Sequence, residues 1–161
     1  MMFSFNLQKL TILAMTIPTS LMLIFPSSHI LFSNFSIAYA SGDILCNSSS
    51  NPCLGTTSDD FMIGGKDNNI MRGQGGDDNI RGGGFNDNIF GGDGNEVISG
   101  GSGDDKITGG SGDDEIDGGS GNDILEGDEG ADSFKCGSGT DSIVDFNSAE
   151  GDTKSSDCEN F

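Results

Sequence analysis

A nine-residue phrase recurs ten times between Gly55 and Val144 without an insertion. That unbroken period restricts the chain to folds in which a short unit stacks on copies of itself. A nonapeptide cannot bury anything alone, so the repeat predicts a solenoid and not a globule. The most regular copies are GGSGDDKIT (Gly100 to Thr108), GGSGDDEID (Gly109 to Asp117) and GGSGNDILE (Gly118 to Glu126). Position eight is apolar in all ten copies, at Met62, Met71, Ile80, Ile89, Ile98, Ile107, Ile116, Leu125, Phe134 and Ile143. Position six is Asp at Asp60, Asp78, Asp87, Asp105, Asp114, Asp123, Asp132 and Asp141, with Asn69 and Glu96 as departures. Position one is Gly in every copy but the last, where Cys136 stands. A Gly/Asp-rich linker would share this composition without holding apolar side chains on a nine-residue beat.

Charge narrows the class of partner. The 161 residues carry a net charge of -19, yet residues 1–40 contain no acid and one base, Lys9. The remainder holds all 26 acids against six bases, a net of -20. Such a field repels nucleic acid and anionic membrane surfaces and attracts cations.

The first forty residues read as an export signal. Lys9 supplies the positive start, Leu10 to Phe25 is an apolar run, and Ala38-Tyr39-Ala40 is a small-x-small site before Ser41. Cleavage there predicts a mature, secreted chain of 121 residues, with 41–54 as an N-terminal cap, 55–144 as the repeat domain and 145–161 as a C-terminal cap and tail. The alternative is an uncleaved anchor holding the chain at the cell surface, because Leu10 to Gly42 has no charged side chain and is long enough to span a bilayer. Pro18 and Pro26 disfavour one continuous helix there and favour cleavage.

Cys46, Cys53, Cys136 and Cys158 flank the repeats, and an even count in an exported chain points to disulfides. With two nonapeptides per turn and turns about 4.8 Å apart, ten copies separate the ends by roughly 20 Å. A bridge needs Cα atoms within about 7 Å, so the local pairs Cys46–Cys53 and Cys136–Cys158 are preferred, each closing a cap. A tetrathiolate zinc site is the alternative, disfavoured by the same separation. Asn47-Ser48-Ser49 adds a glycosylation acceptor pattern in the first cap.

Within one copy, the glycines at positions one, two and four allow left-handed backbone and turn carbonyls toward a common point. The acid at position six adds a short carboxylate. Carbonyl and carboxylate oxygens are hard donors that suit calcium, which accepts six to eight of them in flexible geometry. The one histidine, His29, lies in the signal segment, so imidazole is unavailable for softer metals.

These residues resemble the RTX, or hemolysin-type, calcium-binding nonapeptide G-G-x-G-x-D-x-U-x, over Gly55 to Val144 and most densely from Gly100 to Leu125. The resemblance implies an all-β parallel β-roll, a right-handed β-solenoid of about five turns with disulfide-closed ends. In it the first six residues of a copy form a turn and the last three a short strand. It also implies calcium between loops two copies apart, so that Asp87, Asp105, Asp123 and Asp141 line one edge, with Asn69 opening it. Asp60, Asp78, Glu96, Asp114 and Asp132 line the other edge. The expected ligands are Asp78, Asp87, Glu96, Asp105, Asp114, Asp123, Asp132 and Asp141, with weaker contributions from Asp60 and Asn69. Backbone carbonyls near Gly92, Gly94, Gly101, Gly103, Gly110, Gly112, Gly119 and Gly121 complete the expected set. Five loops per edge leave four gaps, hence about eight Ca2+ ions, whose +16 would bring the mature chain from -20 to -4. Irregular early copies, with Asp67 and Phe85 at position four and Gln74 at position two, predict firm sites from Gly91 onward and weaker ones before it. Stacked carboxylates about 5 Å apart repel by roughly 1 kcal/mol per pair even at the dielectric of water. The expectation is therefore a chain that is mostly disordered without the ion and folded with it.

Beyond residue 40 the sequence has no His, Trp or Tyr, so Ser-His and Cys-His nucleophile arrangements are absent. A paired-acid glycosidase would need carboxylates free of the repeat's phase. No enzymatic activity is expected. The expected function is a secreted calcium-binding protein with a structural or interaction role outside the cell. One alternative is a calcium-dependent adhesion module for polysaccharide or a surface protein. Another is a small relative of RTX toxins or exported enzymes, against which an amino-terminal signal weighs. No nucleic-acid partner is expected, and no membrane contact once the signal is removed.

Overall fold

The computed structural model describes residues 37–38, 43–46 and 52–158. The export segment otherwise lies outside the described residues, as does the Asn47-Ser48-Ser49 pattern. Every regular element among the described residues is a strand: β1 (Ile37–Ala38), β2 (Asp43–Leu45), β3 (Cys53–Leu54), β4 (Phe61–Ile63), β5 (Ile70–Gly75), β6 (Asn79–Gly84), β7 (Asn88–Asp93), β8 (Val97–Ser102), β9 (Lys106–Ser111), β10 (Glu115–Ser120), β11 (Ile124–Glu129), β12 (Ser133–Ser138), β13 (Ser142–Ile143) and β14 (Thr153–Lys154). Successive strands alternate between two sheets, ordered β1-β2-β4-β6-β8-β10-β12-β14 and β13-β11-β9-β7-β5-β3. Within each sheet the repeat strands pair in parallel at a spacing of 18 residues, as in Ile80 with Ile98 and Ile98 with Ile116. Two copies therefore make one turn, and the chain winds through about six turns of a parallel β-solenoid.

The extra turn beyond the expected five comes from the caps. Asp43, Ile44 and Leu45 pair in register with Phe61, Met62 and Ile63, and Cys53 pairs with Met71. Ile44 and Cys53 thus occupy position eight of two further pseudo-copies. At the other end Phe134 pairs with Lys154, a spacing of 20 instead of 18. The strands are also longer than the expected three residues. Most run through positions seven, eight, nine, one, two and three, because the first three residues of the next copy stay in register with their neighbours, as Gly83 does with Gly101.

The phase explains the core. Side chains two apart on a strand share a face, so positions six, eight and one point inward together while five, seven and nine face solvent. Position-eight residues from Met62 to Phe134 are at most 1% exposed, and Ile143 is 4% exposed. Only glycine fits at position one of an interior turn. A Cβ on Gly109 would lie 2.1 Å from Asp114 Oδ2 and 3.0 Å from the Gly127 carbonyl oxygen. Cys136 is tolerated at that position because the last turn is closed by a cap, to which it is bonded through Cys158; Cys46 is bonded to Cys53. Both pairings are the local ones.

Side chains finish the solenoid where backbone runs out. Asp145 accepts from the N–H groups of Gly127 and Asp128 at 3.1 and 2.6 Å, and Asp157 from Gly137 N–H at 3.0 Å. Phe146 lies against Phe134 with ring centroids 6.4 Å apart. β1, which falls in the expected export segment, pairs antiparallel with β2; cleavage after Ala40 would leave β2 as the edge of its sheet.

Candidate metal centre

Position six places one buried carboxyl group in every loop but that of Asn69, where a carboxamide takes its place. The two expected edges are visible as two hydrogen-bonded ladders with a step of 18 residues. In one, the N–H groups of Asn69, Asp87, Asp105 and Asp123 donate to Oδ1 of Asp87, Asp105, Asp123 and Asp141 at 2.7–2.9 Å. In the other, Asp60 donates to Asp78, Glu96 to Asp114, Asp114 to Asp132 and Asp132 to Asp152 at 2.8–3.0 Å. The second carboxylate oxygen is what remains unsatisfied. Oδ2 of Asp78, Asp87, Asp105, Asp114, Asp123, Asp132 and Asp141 is buried without a hydrogen-bond partner, and so are both carboxylate oxygens of Glu96.

For Asp78, Asp87, Asp105, Asp114 and Asp123 the orphan oxygen borders the space left by the missing side chain of the copy's own position-one glycine, together with the carbonyl of the equivalent residue one turn on. Beside Gly73 that space meets Asp78 Oδ2 at 2.1 Å and the Gly91 carbonyl at 2.6 Å. Beside Gly100 it meets Asp105 Oδ2 at 2.4 Å and the Gly118 carbonyl at 2.7 Å. The position-one carbonyls were not in the expected ligand set. Among the expected carbonyls, those of Gly92 and Gly94 lie 2.0 and 1.7 Å from where a Cβ on Gly110 and Gly112 would stand, and those of Gly101 and Gly103 lie 2.2 and 1.9 Å from one on Gly119 and Gly121. Carboxylate and carbonyl oxygens thus collect between turns, and the one unpaired buried side-chain donor among the described residues is Asn69 Nδ2. Among the described residues no three His, Cys, Asp or Glu side chains converge as a metal-binding group. Each loop offers one carboxylate set among backbone oxygens, a donor set that fits calcium.

Burial without a donor makes ionisation costly. Desolvation raises Asp78, Asp87 and Asp132 to about 6 and Asp105 to about 7. It raises Asp114 and Asp123 as well. Glu96 is pushed up to about 8, first by burial and then by the negative charge of Asp114 and Asp78. Backbone N–H donation from the neighbouring turn opposes the rise for each aspartate without cancelling it.

Asp60 and Asn69 differ from the rest. Asp60 Oδ2 accepts from the Thr56 N–H at 2.6 Å and the Thr56 hydroxyl at 2.9 Å, and Asn69 Oδ1 accepts from the Gly65 N–H at 3.0 Å. Asp78 and Asp87, in copies expected to be weaker, share the orphan oxygen of the later copies. Asp152 is an eleventh position-six group that the count of nine misses, since it sits 20 residues after Asp132; its Oδ2 is bonded to the Asn147 N–H at 2.7 Å.

A second ladder went unread in the sequence. Position five is Asp or Asn in eight copies, and its side chain accepts from the N–H one turn later, as Asp77 does from Asn95, Asn95 from Asp113 and Asp113 from Ala131 at 2.8–2.9 Å. Its direction is opposite to that of the position-six ladder.

Compared with known families, the chain matches the model of the RTX calcium-binding nonapeptide repeat (4 copies) over residues 54–89, 90–125 and 108–143, more than half its length. No curated protein and no solved structure matches it.

Proposed function

Because the chain belongs to the RTX calcium-binding nonapeptide repeat family, we propose that it is an exported protein that takes up about eight calcium ions in its loops and depends on them for its fold. The observation that carries this reading is the row of eight buried carboxyl groups, Asp78, Asp87, Glu96, Asp105, Asp114, Asp123, Asp132 and Asp141, each with at least one oxygen that nothing in the protein satisfies. These eight hold the ions together with carbonyls of the position-one glycines and of the glycines at positions two and four. Calcium, when bound, supplies the positive charge that offsets desolvation and mutual repulsion of the carboxylates. The protein's own part is to hold each aspartate of the row in place through the N–H of the neighbouring turn, a tie that Glu96 lacks, and to keep the position-one space open with glycine in every copy but the last.

On this reading the buried acids are ligands and not acid–base catalysts, which is supported by their shared place in one ladder. Export is supported by the two disulfides, which persist in oxidising compartments. Where calcium is available the solenoid is set by its uptake, and without it the later turns stay open.

Calorimetric titration with calcium, followed in parallel by circular dichroism, tests the proposal. About eight ions and a gain of β signal on binding, reversed by EDTA, are expected. A chain with the same strand signal in excess EDTA at neutral pH would refute it.

A further inference from the structure

We propose that residues 43–46 and 52–81 form a metal-independent nucleus on which the later turns are laid down as calcium binds; this rests on the calcium-binding reading above. The loops of the first two repeat copies are closed by the protein itself. Thr56 gives both its N–H and its hydroxyl to Asp60 Oδ2, and the Gly65 N–H is bonded to Asn69 Oδ1. Gln74, in place of the usual position-two glycine, donates its side-chain amide to the Gly55 carbonyl. Donors therefore stand here beside the oxygens that in later loops have none. The contrast in oxygens begins at Asp78, whose Oδ2 is the first orphan oxygen of the series; at Asn69 the unpaired buried atom is the uncharged amide nitrogen Nδ2.

Charge changes along the same line. Residues 43–81 carry six acids against three bases, whereas 82–158 carry nineteen against three. Repulsion in the ion-free state is thus concentrated in the later turns. The outer face of the early turns also has contacts of its own, with the Arg81 guanidinium 5.5 Å from the centroid of the Phe61 ring. The N-terminal end is finished as an end. Pro52 sits one residue before Cys53, at position seven, where other copies donate an N–H to the preceding turn, as Asn79 does to the Asp60 carbonyl at 2.9 Å. Proline removes a donor that would have no turn to meet. The Cys46–Cys53 bridge closes the same end, and a segment of about forty residues needs such a staple to hold structure alone.

Hydrogen exchange of the full chain, read by mass spectrometry at pH 7.5 in EDTA and in calcium, tests this. In EDTA the amides of β4 and β5 should exchange about tenfold or more slowly relative to those of β9 and β10, and calcium should protect all four strands. Uniformly fast or uniformly slow exchange in EDTA would overturn the proposal. Asn69→Asp should bring β4 and β5 down to the level of the later strands in EDTA, with recovery in calcium; unchanged protection would overturn the role given to the neutral amide. Absence of calcium uptake by calorimetry would bring down the calcium reading and the nucleus with it. Calcium uptake with unprotected β4 and β5 in EDTA would overturn the nucleus alone.

Discussion

Acid should fold this chain in the absence of metal. An aspartate whose pKa stands at 3.8 in the unfolded chain and about 6 in the fold is harder to ionise in the fold by about 3 kcal/mol, which holds for Asp78, Asp87 and Asp132. For Asp105, at about 7, the figure is about 4 kcal/mol. Together these four oppose folding above pH 7 by about 13 kcal/mol, as much as the whole stability of an ordinary domain. Halved for water and ions reaching the turns, the penalty is still about 6 kcal/mol. Because the folded values are raised, the penalty is complete above them, falls as pH drops through 7 and 6, and is gone below 3.8. At pH 4.5 about one third of it is left. In EDTA, the strand signal in far-UV circular dichroism should therefore rise from pH 8 to pH 4.5, with more than one proton taken up per molecule at the midpoint. Sedimentation velocity would distinguish a folded monomer from association near the isoelectric point of about 4.1. Asp105→Asn, which mimics the protonated group, should shift the midpoint to higher pH while lowering the number of ions bound at neutral pH. A chain already folded at pH 8 in EDTA, or one still unfolded at pH 4.5, would refute the reasoning.

Three further outcomes follow from the geometry. Ile107→Ala, at a wholly buried position-eight site, should lower the stability of the calcium form by about 2–5 kcal/mol in thermal or denaturant unfolding. Gly109→Ala should displace Asp114 Oδ2, which lies 2.1 Å from the new Cβ, and calorimetry should show one or two fewer ions bound with the remainder unchanged. Removing the Cys136–Cys158 bridge, which spans 22 residues and closes the last turn, should cost about 2–4 kcal/mol in calcium, with hydrogen exchange accelerated first in β12 and β14.

Much of this was legible because burial and period share one arithmetic. A residue two before an inward apolar position must itself face inward. Phase therefore separates the two adjacent acids of a GGSGDD loop: Asp114, two before Ile116, is buried, whereas Asp113 is exposed. Ile44 and Cys53 obey the same beat, 18 residues before Met62 and Met71, so the extra turn could have been counted back into the cap. Asp152 could not, since its offset of 20 follows from how the C-terminal loop closes and not from any repeat. Strand length was missed because glycine carries no strand signal of its own; positions one to three are extended only because a neighbouring turn pairs with them.

The opposed ladders show why this loop uses two adjacent Asx residues. At position six the side chain reaches back to the N–H of the preceding turn, and at position five it reaches forward to the N–H of the following turn, so an interface that carries both is tied in both directions. Both ties need an oxygen two bonds from Cβ, which Asp and Asn supply. Glu96 moves that oxygen out by one methylene, and its interface lacks the position-six tie: the Asp114 carboxylate accepts from the Glu96 N–H, yet neither Glu96 oxygen accepts in turn from the turn before. The turn boundary between Asp78 and Glu96 is thus held by one fewer bond than its neighbours. Glu96→Asp should restore the tie and stabilise the calcium form by about 1 kcal/mol. Thermal unfolding in saturating calcium measures this directly, and a variant no more stable than the parent would show that the missing bond is replaced by coordination through the longer side chain.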